Sequence, residues 1–185
     1  MYKINKLLEP QKIGLVIYGS LYHHEGILKD YLKSEYIRGP KLKISILGCN
    51  PFKENLTRVI DYDNGQEMET EIKLFNESLE IEQIKRYITL REGNINFIIL
   101  YNHKSNEIIN IPEHLIKNKN DIKDELKKVC EKNKIDYLFF TAYPAKITNI
   151  KKYLDNNNKK KNTSDYLKKC KKESLTKIEK EIIFF

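Results

Sequence analysis

The sequence lacks tryptophan and has few of the residues that build cross-linked or metal-bound frameworks. Among its 185 residues there are three cysteines, at positions 49, 130 and 170, and no two of them form a CxxC pair. An odd number of widely spaced cysteines argues against a disulfide framework and against a thiolate zinc site. We therefore expect a reducing compartment, and the cytoplasm is the predicted localisation.

Long apolar runs are also missing. No stretch of roughly eighteen consecutive apolar residues occurs in the chain, which argues against a transmembrane helix and against a membrane partner. The opening segment MYKINKLLEPQK returns to charged residues too soon to be a signal peptide.

Positive charge is concentrated near the end of the chain. The net charge is +8, and residues 145–185 hold twelve lysines against five acidic residues. Such a segment can meet a polyanion, although a solvated helical face in a lysine-rich protein is the reading we favour. No aromatic-rich basic groove accompanies the lysines, so nucleic acid is not an expected partner.

Hydrophobic patterns predict strands with different burial. Ile13 to Tyr18 is almost continuously apolar, as in a strand buried on both faces, whereas residues 41–47 alternate apolar and lysine or serine side chains. Asp63-Asn64-Gly65 is expected to supply positive φ angles in a turn between two strands. The remaining predicted strands are residues 57–62, residues 69–75, a hairpin around Asn102–Asn106, and residues 136–143 before Pro144.

Helical spacing and capping residues predict the helices. A short helix is expected over His23 to Lys33, closed by Gly39-Pro40, and another is expected after a Ser78 cap, ending at Gly93. Asp121 is expected to begin a third helix. Two C-terminal helices are predicted around Ile147–Leu154 and Leu167–Ile182, separated by a polar linker at Asn156–Asn162 and capped by Thr163-Ser164-Asp165.

This order of elements predicts an α+β fold with a mixed, strongly curved or barrel-like sheet and flanking helices. The length suits one domain with a substantial core. We assign residues 1–155 to that domain and residues 156–185 to a basic helical extension packed on it.

The small-residue turn after the first strand is the first candidate site. Tyr18-Gly19-Ser20-Leu21 follows a buried strand, and glycine lets a ligand approach the backbone closely. Backbone N–H groups that converge in such a turn bind a carboxylate or phosphate. The same pattern also suits an ordinary strand-to-helix corner, and the sequence leaves both readings open.

Glu92 is the second candidate. It stands at the end of a predicted helix, just before Gly93, where the helix dipole opposes a negative charge. A carboxylate placed against this field suits a proton-accepting role, and the neighbouring Arg91 offsets part of the field. A plain surface residue is the alternative reading, although a residue that breaks a local rule is often functional.

Taken in order, several segments resemble the γ-glutamylcyclotransferase-like family, and especially its bacterial branch with a WGSL opening motif. The resemblance extends from about Ile13 to Tyr153. The segments that carry it are IYGSLY, RGPKLKISIL, NLTRVID, ITLREGN and IDYLFFTAYP.

The resemblance implies a small barrel with a cavity at its mouth and a cyclisation reaction. The backbone of Tyr18, Gly19, Ser20 and Leu21 would hold the substrate's α-carboxylate. Glu92 would take a proton from the α-amine, which then attacks the γ-carbonyl and releases 5-oxoproline. The resemblance implies no metal and no cofactor, and a carboxylate-bearing small molecule is the expected partner.

Two departures from the family pattern keep a second function open. Leu21 stands where better characterised members have Asn, and Tyr18 stands where the bacterial branch has Trp. The loss of a polar side chain at position 21 supports an alternative, namely a non-catalytic binder of a small anionic metabolite. This binder would use the same turn without turnover.

The other reactive side chains are not expected to form a site. His23 and His24 are adjacent and would point about 100° apart on a helix, and the two remaining histidines lie in predicted loops, so no metal site is predicted. Cys49 would be nucleophilic only with a base beside it, and a buried thiol is the favoured reading. Tyr143 is interpreted as a core tyrosine that lies next to the pocket.

Overall fold

Seven strands form one mixed sheet in the computed structural model, which describes residues 10–22, 24–50, 54–76, 78–170 and 175–184. The strands are β1 Ile13–Ile17, β2 Leu32–Asn50, β3 Asn55–Ile60, β4 Gln66–Phe75, β5 Ile98–Asn102, β6 Glu107–Ile109 and β7 Tyr137–Thr141. The α-helices are α1 Ile81–Glu92, α2 Lys119–Asn133, α3 Ile150–Leu154, α4 Asn157–Lys168 and α5 Lys177–Phe184. Short 3-10 turns lie at Gly19–Tyr22, Gly26–Asp30, Ile95–Phe97 and Glu113–Asn118.

The strand order is β3-β2-β4-β1-β7-β5-β6, and β1 with β7 is a parallel pair. The predicted α+β class, with a mixed sheet and flanking helices, is confirmed. The sheet is not closed into a barrel. Strands β3 and β6 are its two edges, and no pairing joins them within the described ranges.

The 19-residue strand β2 bends the sheet through register shifts. The first residue of β4, Gln66, lies opposite Ile44. The part of β2 after Ile44 therefore pairs with β3 alone. This end of the sheet curls until β3 contacts the Gly19–Tyr22 turn. The curl therefore brings the far edge of the sheet close to the candidate turn.

The helix predicted for residues 23–33 and the break predicted at Gly39-Pro40 are both wrong. Only the 3-10 turn Gly26–Asp30 forms, and Gly39-Pro40 lies inside β2, at a register shift between Arg38 and Lys41. A register shift interrupts the hydrogen bonds between the two strands. Proline can occupy such a position because it has no backbone N–H to donate, and Pro40 lies there. A Cβ at Gly39 would lie 2.6 Å from the Thr70 hydroxyl oxygen, so this glycine serves a close approach and not a helix end.

The turn after β3 also differs from its prediction. Residues 63–65 do not have positive φ, and β3 and β4 lie on either side of β2 and do not pair with each other. The Asp61 carboxylate holds the turn by accepting from the N–H groups of Asp63 and Asn64. Gly65 is required because a Cβ would lie 2.2 Å from the Asp61 carbonyl oxygen.

Two apolar layers cover the two faces of the sheet. Helix α1 packs Ile84 and Ile88 on one face, against Leu15 and Ile17 of β1. Helix α2 covers the other face. Its layer contains Leu42, Ile44, Ile72, Phe140, Ile122, Leu126 and Cys130. Both faces of β1 are therefore buried, as its continuous apolar run predicts.

Three further elements agree with the sequence patterns, namely the hairpin of β5 and β6, the helix end at Gly93 and the amphipathic helix α2. Gly93 has a φ of 77°, the left-handed value expected of a helix C-cap, whereas Glu80 and not Ser78 caps the start of α1. None of the described helices is long and apolar enough to cross a bilayer.

Helix α4 covers the exposed edge of β3. Its Thr163 hydroxyl accepts from the N–H of Leu56 (3.0 Å), and its Tyr166 hydroxyl accepts from the N–H of Arg58 (3.3 Å). Two side chains on one helical face thus satisfy alternate N–H groups of an edge strand. The linker predicted at Asn156–Asn162 is therefore wrong, because Asn156 caps α4 and the following residues are helical.

Candidate functional site

Tyr18 lies where the parallel strands β1 and β7 end side by side. Its side chain is buried, and its hydroxyl donates a hydrogen bond to the carbonyl oxygen of Thr141, the last residue of β7. Burial raises the pKa of Tyr18 above its ordinary value, and the nearby Glu92 carboxylate raises it further. The phenol is therefore a neutral hydrogen-bonding group at physiological pH.

The Gly19–Tyr22 turn is anchored by packing on both sides. Gly19 has a φ of 62°, and a Cβ there would lie 3.1 Å from the Tyr166 hydroxyl and 3.3 Å from the Arg58 Cβ. This glycine is thus required by the turn and by close packing on β3 and α4. The Ser20 backbone belongs to the turn, and its side chain lies outside the described residues.

Leu21 contributes to the core. Its side chain is buried among Ile17, Leu28 and Ile88. What position 21 can offer to a ligand is therefore its backbone and not its side chain. The first N–H groups of a helical turn have no acceptor within that turn, which makes the backbone of this segment a source of donors.

Glu92 is the last residue of α1 and is not a surface residue. Its side chain is 7% exposed, and Arg91 contacts its Oε1 through Nη1. The same guanidinium donates from Nη2 to the backbone carbonyl of His24 at 2.9 Å. Arg91 thus fixes the carboxylate at the end of the helix and also ties it to the segment that follows the turn.

Tyr143 completes the group. Its hydroxyl donates to the backbone carbonyl of Glu92 at 2.7 Å, and its ring packs against Phe97 with centroids 4.6 Å apart. Burial raises the pKa of Tyr143, and the Glu92 carboxylate adds to this effect. The structure therefore gathers Tyr18, Glu92 and Tyr143 at one end of the sheet, beside the Gly19 turn.

This arrangement supplies a buried carboxylate, the backbone of a tight turn, and two neutral phenols whose protons are donated to the carbonyl oxygens of Thr141 and Glu92. A carboxylate can accept a proton, and backbone N–H groups can hold an anion.

The histidines are not brought together. His24 is exposed. His103 lies beside the ring of Tyr101, and His114 is a separate residue whose pKa is lowered by burial. His23 lies outside the described residues. Among the residues that are described, no group of three or more His, Cys, Asp or Glu side chains could hold a metal ion.

Cys49 faces a tyrosine. Its sulfur lies 3.4 Å from the hydroxyl oxygen of Tyr153, and the side chain is half-buried. The ring of Tyr153 in turn receives the Lys159 ammonium at 4.9 Å from its centroid.

The pairing of two buried charged residues beside the turn could not be predicted from the sequence. Arg58 Nε and Nη2 donate to the two carboxylate oxygens of Glu179 at 2.8 and 2.9 Å, and both side chains are 1% exposed. The partners are 121 positions apart, and although Arg58 lies in the NLTRVID segment, no pattern in the sequence links it to Glu179. Alternation along β3 places position 58 on the same face as Leu56 and Ile60, which are buried, but the strand itself does not show which acid pairs with the arginine.

A scan against protein-family models, a search of curated proteins and a search of solved structures each find no significant match for this chain.

Proposed function

We propose that the protein is a γ-glutamylcyclotransferase-like enzyme that cyclises a γ-glutamyl amine or amide to 5-oxoproline. The observation that carries this proposal is the desolvated Glu92 carboxylate beside Tyr18, next to the Gly19 turn. Tyr18 and Glu92 are 74 positions apart in the chain, the resemblance gives them complementary parts in one reaction, and they lie at the same end of the sheet.

The turn is the proposed anion-binding element. The backbone N–H groups of Gly19, Ser20 and Leu21 would hold the substrate's α-carboxylate, because a tight turn concentrates donors in one place. Tyr18 lies at the start of this segment and keeps its proton, so it can serve only as a neutral hydrogen-bonding partner.

Glu92 is the proposed general base. It accepts a proton from the substrate's α-ammonium group, and the freed amine attacks the γ-carbonyl carbon. A new C–N bond closes the five-membered ring as the original γ-amide bond breaks. The leaving amine takes up the proton, so no oxidant, metal or further reactant is needed.

Tyr143 and Arg91 are the proposed positioning residues. Tyr143 holds the backbone at the end of α1, and Arg91 holds the Glu92 side chain. A base is effective only when it lies within hydrogen-bond reach of the proton it removes, so these contacts set the efficiency of Glu92.

The finer fold assignment belongs to the same proposal. The long bent strand β2, the turn after β1 and the Glu-Gly helix end follow the order that the family resemblance implies. The sheet is open between β3 and β6, and the Gly19–Tyr22 turn contacts β3.

The test is release of 5-oxoproline from a panel of γ-glutamyl dipeptides and γ-glutamyl amines, followed by mass spectrometry. We expect at least one compound to give stoichiometric 5-oxoproline and free amine. The matched control is the α-glutamyl isomer, in which the amide carbonyl is attached to the α-carbon. Attack of the α-amine on that carbonyl cannot close a five-membered ring, so this isomer should release no 5-oxoproline. No product from any member of a broad panel would contradict catalysis.

The burial of Leu21 favours one alternative function, a non-catalytic binder of a small anionic metabolite. A turn that offers backbone donors without a polar side chain at position 21 can hold an anion without orienting a substrate. Thermal stabilisation by 5-oxoproline or a γ-glutamyl compound, with no product formed, supports this alternative. Ligand at 100-fold its Kd adds about 2.7 kcal/mol to the free energy of unfolding.

A further inference from the structure

The buried pair of Arg58 and Glu179 has the geometry of a bound carboxylate ligand. Two guanidinium nitrogens meet both oxygens of one carboxylate, which is the bidentate arrangement by which arginine recognises free carboxylates. The carboxylate comes from α5, whereas the guanidinium comes from β3 in the body of the sheet. Glu179 also accepts from the backbone N–H of Thr176 at 2.8 Å, so it is held as well by the residue that precedes its own helix.

The backbone of Arg58 lies next to the Gly19–Tyr22 turn. Its Cβ lies 3.3 Å from the position that a Gly19 Cβ would take, and its N–H donates to the Tyr166 hydroxyl that touches the same position. The backbone and Cβ of this buried arginine thus adjoin the segment proposed to hold a carboxylate, while its guanidinium meets Glu179. Arg91, the arginine on the other side of the turn, is committed to Glu92 and to the His24 carbonyl.

Helix α5 is a short element that is held by the ion pair and by the packing of Ile182 and Ile183 against β3 and α4. It is eight residues long, which is too short for a helix to persist alone in water. Among its described side chains, Glu179 and Ile182 are buried, whereas Ile178 is 45% exposed and Lys177, Lys180 and Glu181 are exposed. A buried ion pair contributes little net stability, because its attraction is offset by the desolvation of both charges.

A groove gives solvent access to the first turn of this helix. It has a volume of about 360 Å³ and runs between Thr176 and Ile178 on one side and residues 44–47 of β2 on the other. Thr176 precedes α5, and it holds Glu179 by donating its N–H to the carboxylate and accepting from the Glu179 N–H with its hydroxyl. A small solute in the groove therefore lies against the turn that supports the carboxylate.

We propose that α5 is a displaceable cover whose Glu179 occupies a carboxylate-recognition site on Arg58, and that a carboxylate-bearing small molecule competes for this site. This inference rests on the proposed function, because it makes Arg58 the charged partner of the substrate carboxylate beside the Gly19 turn. In the closed form the helix holds the arginine in place and excludes ligand. When α5 is displaced, the ligand's carboxylate replaces that of Glu179 in the bidentate pair with Arg58.

The test is hydrogen exchange of the α5 amides in the full chain, with and without added carboxylates at constant ionic strength. Glutarate and 5-oxoproline are the probes, and glutaramide is the uncharged control. We expect the carboxylates to accelerate exchange across residues 177–184 several-fold and saturably, and glutaramide to have no effect. Exchange of α5 that stays unchanged or slows at saturating carboxylate overturns the proposal.

Variants separate a cover from a purely structural helix. Glu179→Gln removes the competing charge, and Ile182→Ala loosens the helix without touching the ion pair. Both should tighten glutarate binding by about ten-fold, because the binding-competent fraction of the protein rises. Glu181→Gln, an exposed acid on the same helix, is the matched control and should leave the affinity unchanged.

The outcomes distinguish this inference from the proposed function. Turnover of γ-glutamyl compounds with no response of α5 leaves the enzyme assignment intact and removes the cover. Displacement of α5 by carboxylates without any 5-oxoproline release leaves the cover intact and removes the enzyme. Equal glutarate affinity in wild type, Glu179→Gln and Ile182→Ala would show that α5 is a fixed part of the fold.

Discussion

Gly19 is under two constraints that a second glycine allows us to separate. Gly19 and Gly93 both have left-handed φ angles, of 62° and 77°, but a Cβ would be crowded only at Gly19. For Gly93→Ala we expect a loss of about 1–2 kcal/mol in the free energy of unfolding, from backbone conformation alone. Gly19→Ala should lose about 1–3 kcal/mol more, because the methyl group meets Tyr166 and Arg58.

Urea denaturation of the two variants measures this difference. Equal losses at both positions would show that the turn is not packed against β3 and α4 as described. The comparison also bears on function. A side chain at Gly19 would not enter an open cavity, because it would press against Arg58 of β3.

Leu21→Asn tests whether position 21 is open to a polar side chain. The better characterised members of the family that the sequence resembles carry Asn there, and under the proposed function this alone suggests that the change improves turnover. Because the Leu21 side chain is buried in an apolar layer, we expect a loss of about 3–5 kcal/mol in the free energy of unfolding. The control Leu21→Met keeps the volume and should lose less than about 1.5 kcal/mol. An Asn variant as stable as wild type would place this side chain outside the core.

At the scale of elements, the cover that α4 places over β3 has a measurable contribution. Thr163→Val keeps the shape of the side chain but leaves the N–H of Leu56 without its acceptor. We expect a loss of about 1–3 kcal/mol in the free energy of unfolding, the usual effect of an unsatisfied buried donor. Thr148→Val, at an exposed position, is the control and should change it by less than about 0.5 kcal/mol. Equal stability of both variants would contradict the edge contact.

Elements whose pattern is set by burial were predictable from the sequence. Leu42, Ile44 and Ile46 alternate because one face of β2 is buried, and Gly93 stops α1 because it can adopt a left-handed angle. Elements set by distant partners were not predictable. The polar run Asn156–Asn162 becomes helical because the next turn of that helix covers β3, and nothing within the run records that edge.

The candidate site was predictable only in its parts. Glu92 and the Gly19 turn stand out locally, because each combines a residue type with a specific chain position. Their proximity to Tyr143 depends on the parallel pairing of β1 with β7, which no local pattern encodes. Arg58 and Glu179 were missed for the same reason, since a buried charge is recognised only once its partner is in place.

At the scale of the whole molecule, the twelve tyrosines make stability sensitive to alkaline pH. Burial raises the pKa of Tyr62 and of Tyr101 to about 12, and it raises those of Tyr18, Tyr143 and Tyr166 as well. Unfolded tyrosines titrate near pH 10. Above that pH the unfolded chain releases protons that the folded protein retains, so stability falls as pH rises from about 10 toward 12.

Tyrosinate absorbance and circular dichroism, followed together from pH 8 to pH 13, test this expectation. The buried tyrosines should ionise in one step that coincides with loss of the fold, whereas protein unfolded in guanidinium should titrate smoothly near pH 10. Complete ionisation near pH 10 with the fold intact would contradict the burial of these side chains.

The most direct test of the central claim compares the rates at which wild type and Glu92→Gln release 5-oxoproline from the best γ-glutamyl substrate. Glu82→Gln, an exposed acid in the first turn of the same helix, is the matched control. If Glu92 is the general base, Glu92→Gln should be slower by about 10²–10⁴-fold, while Glu82→Gln retains the wild-type rate and all three proteins have the same circular-dichroism spectrum. Equal rates in wild type and Glu92→Gln would remove Glu92 from the reaction and contradict the account.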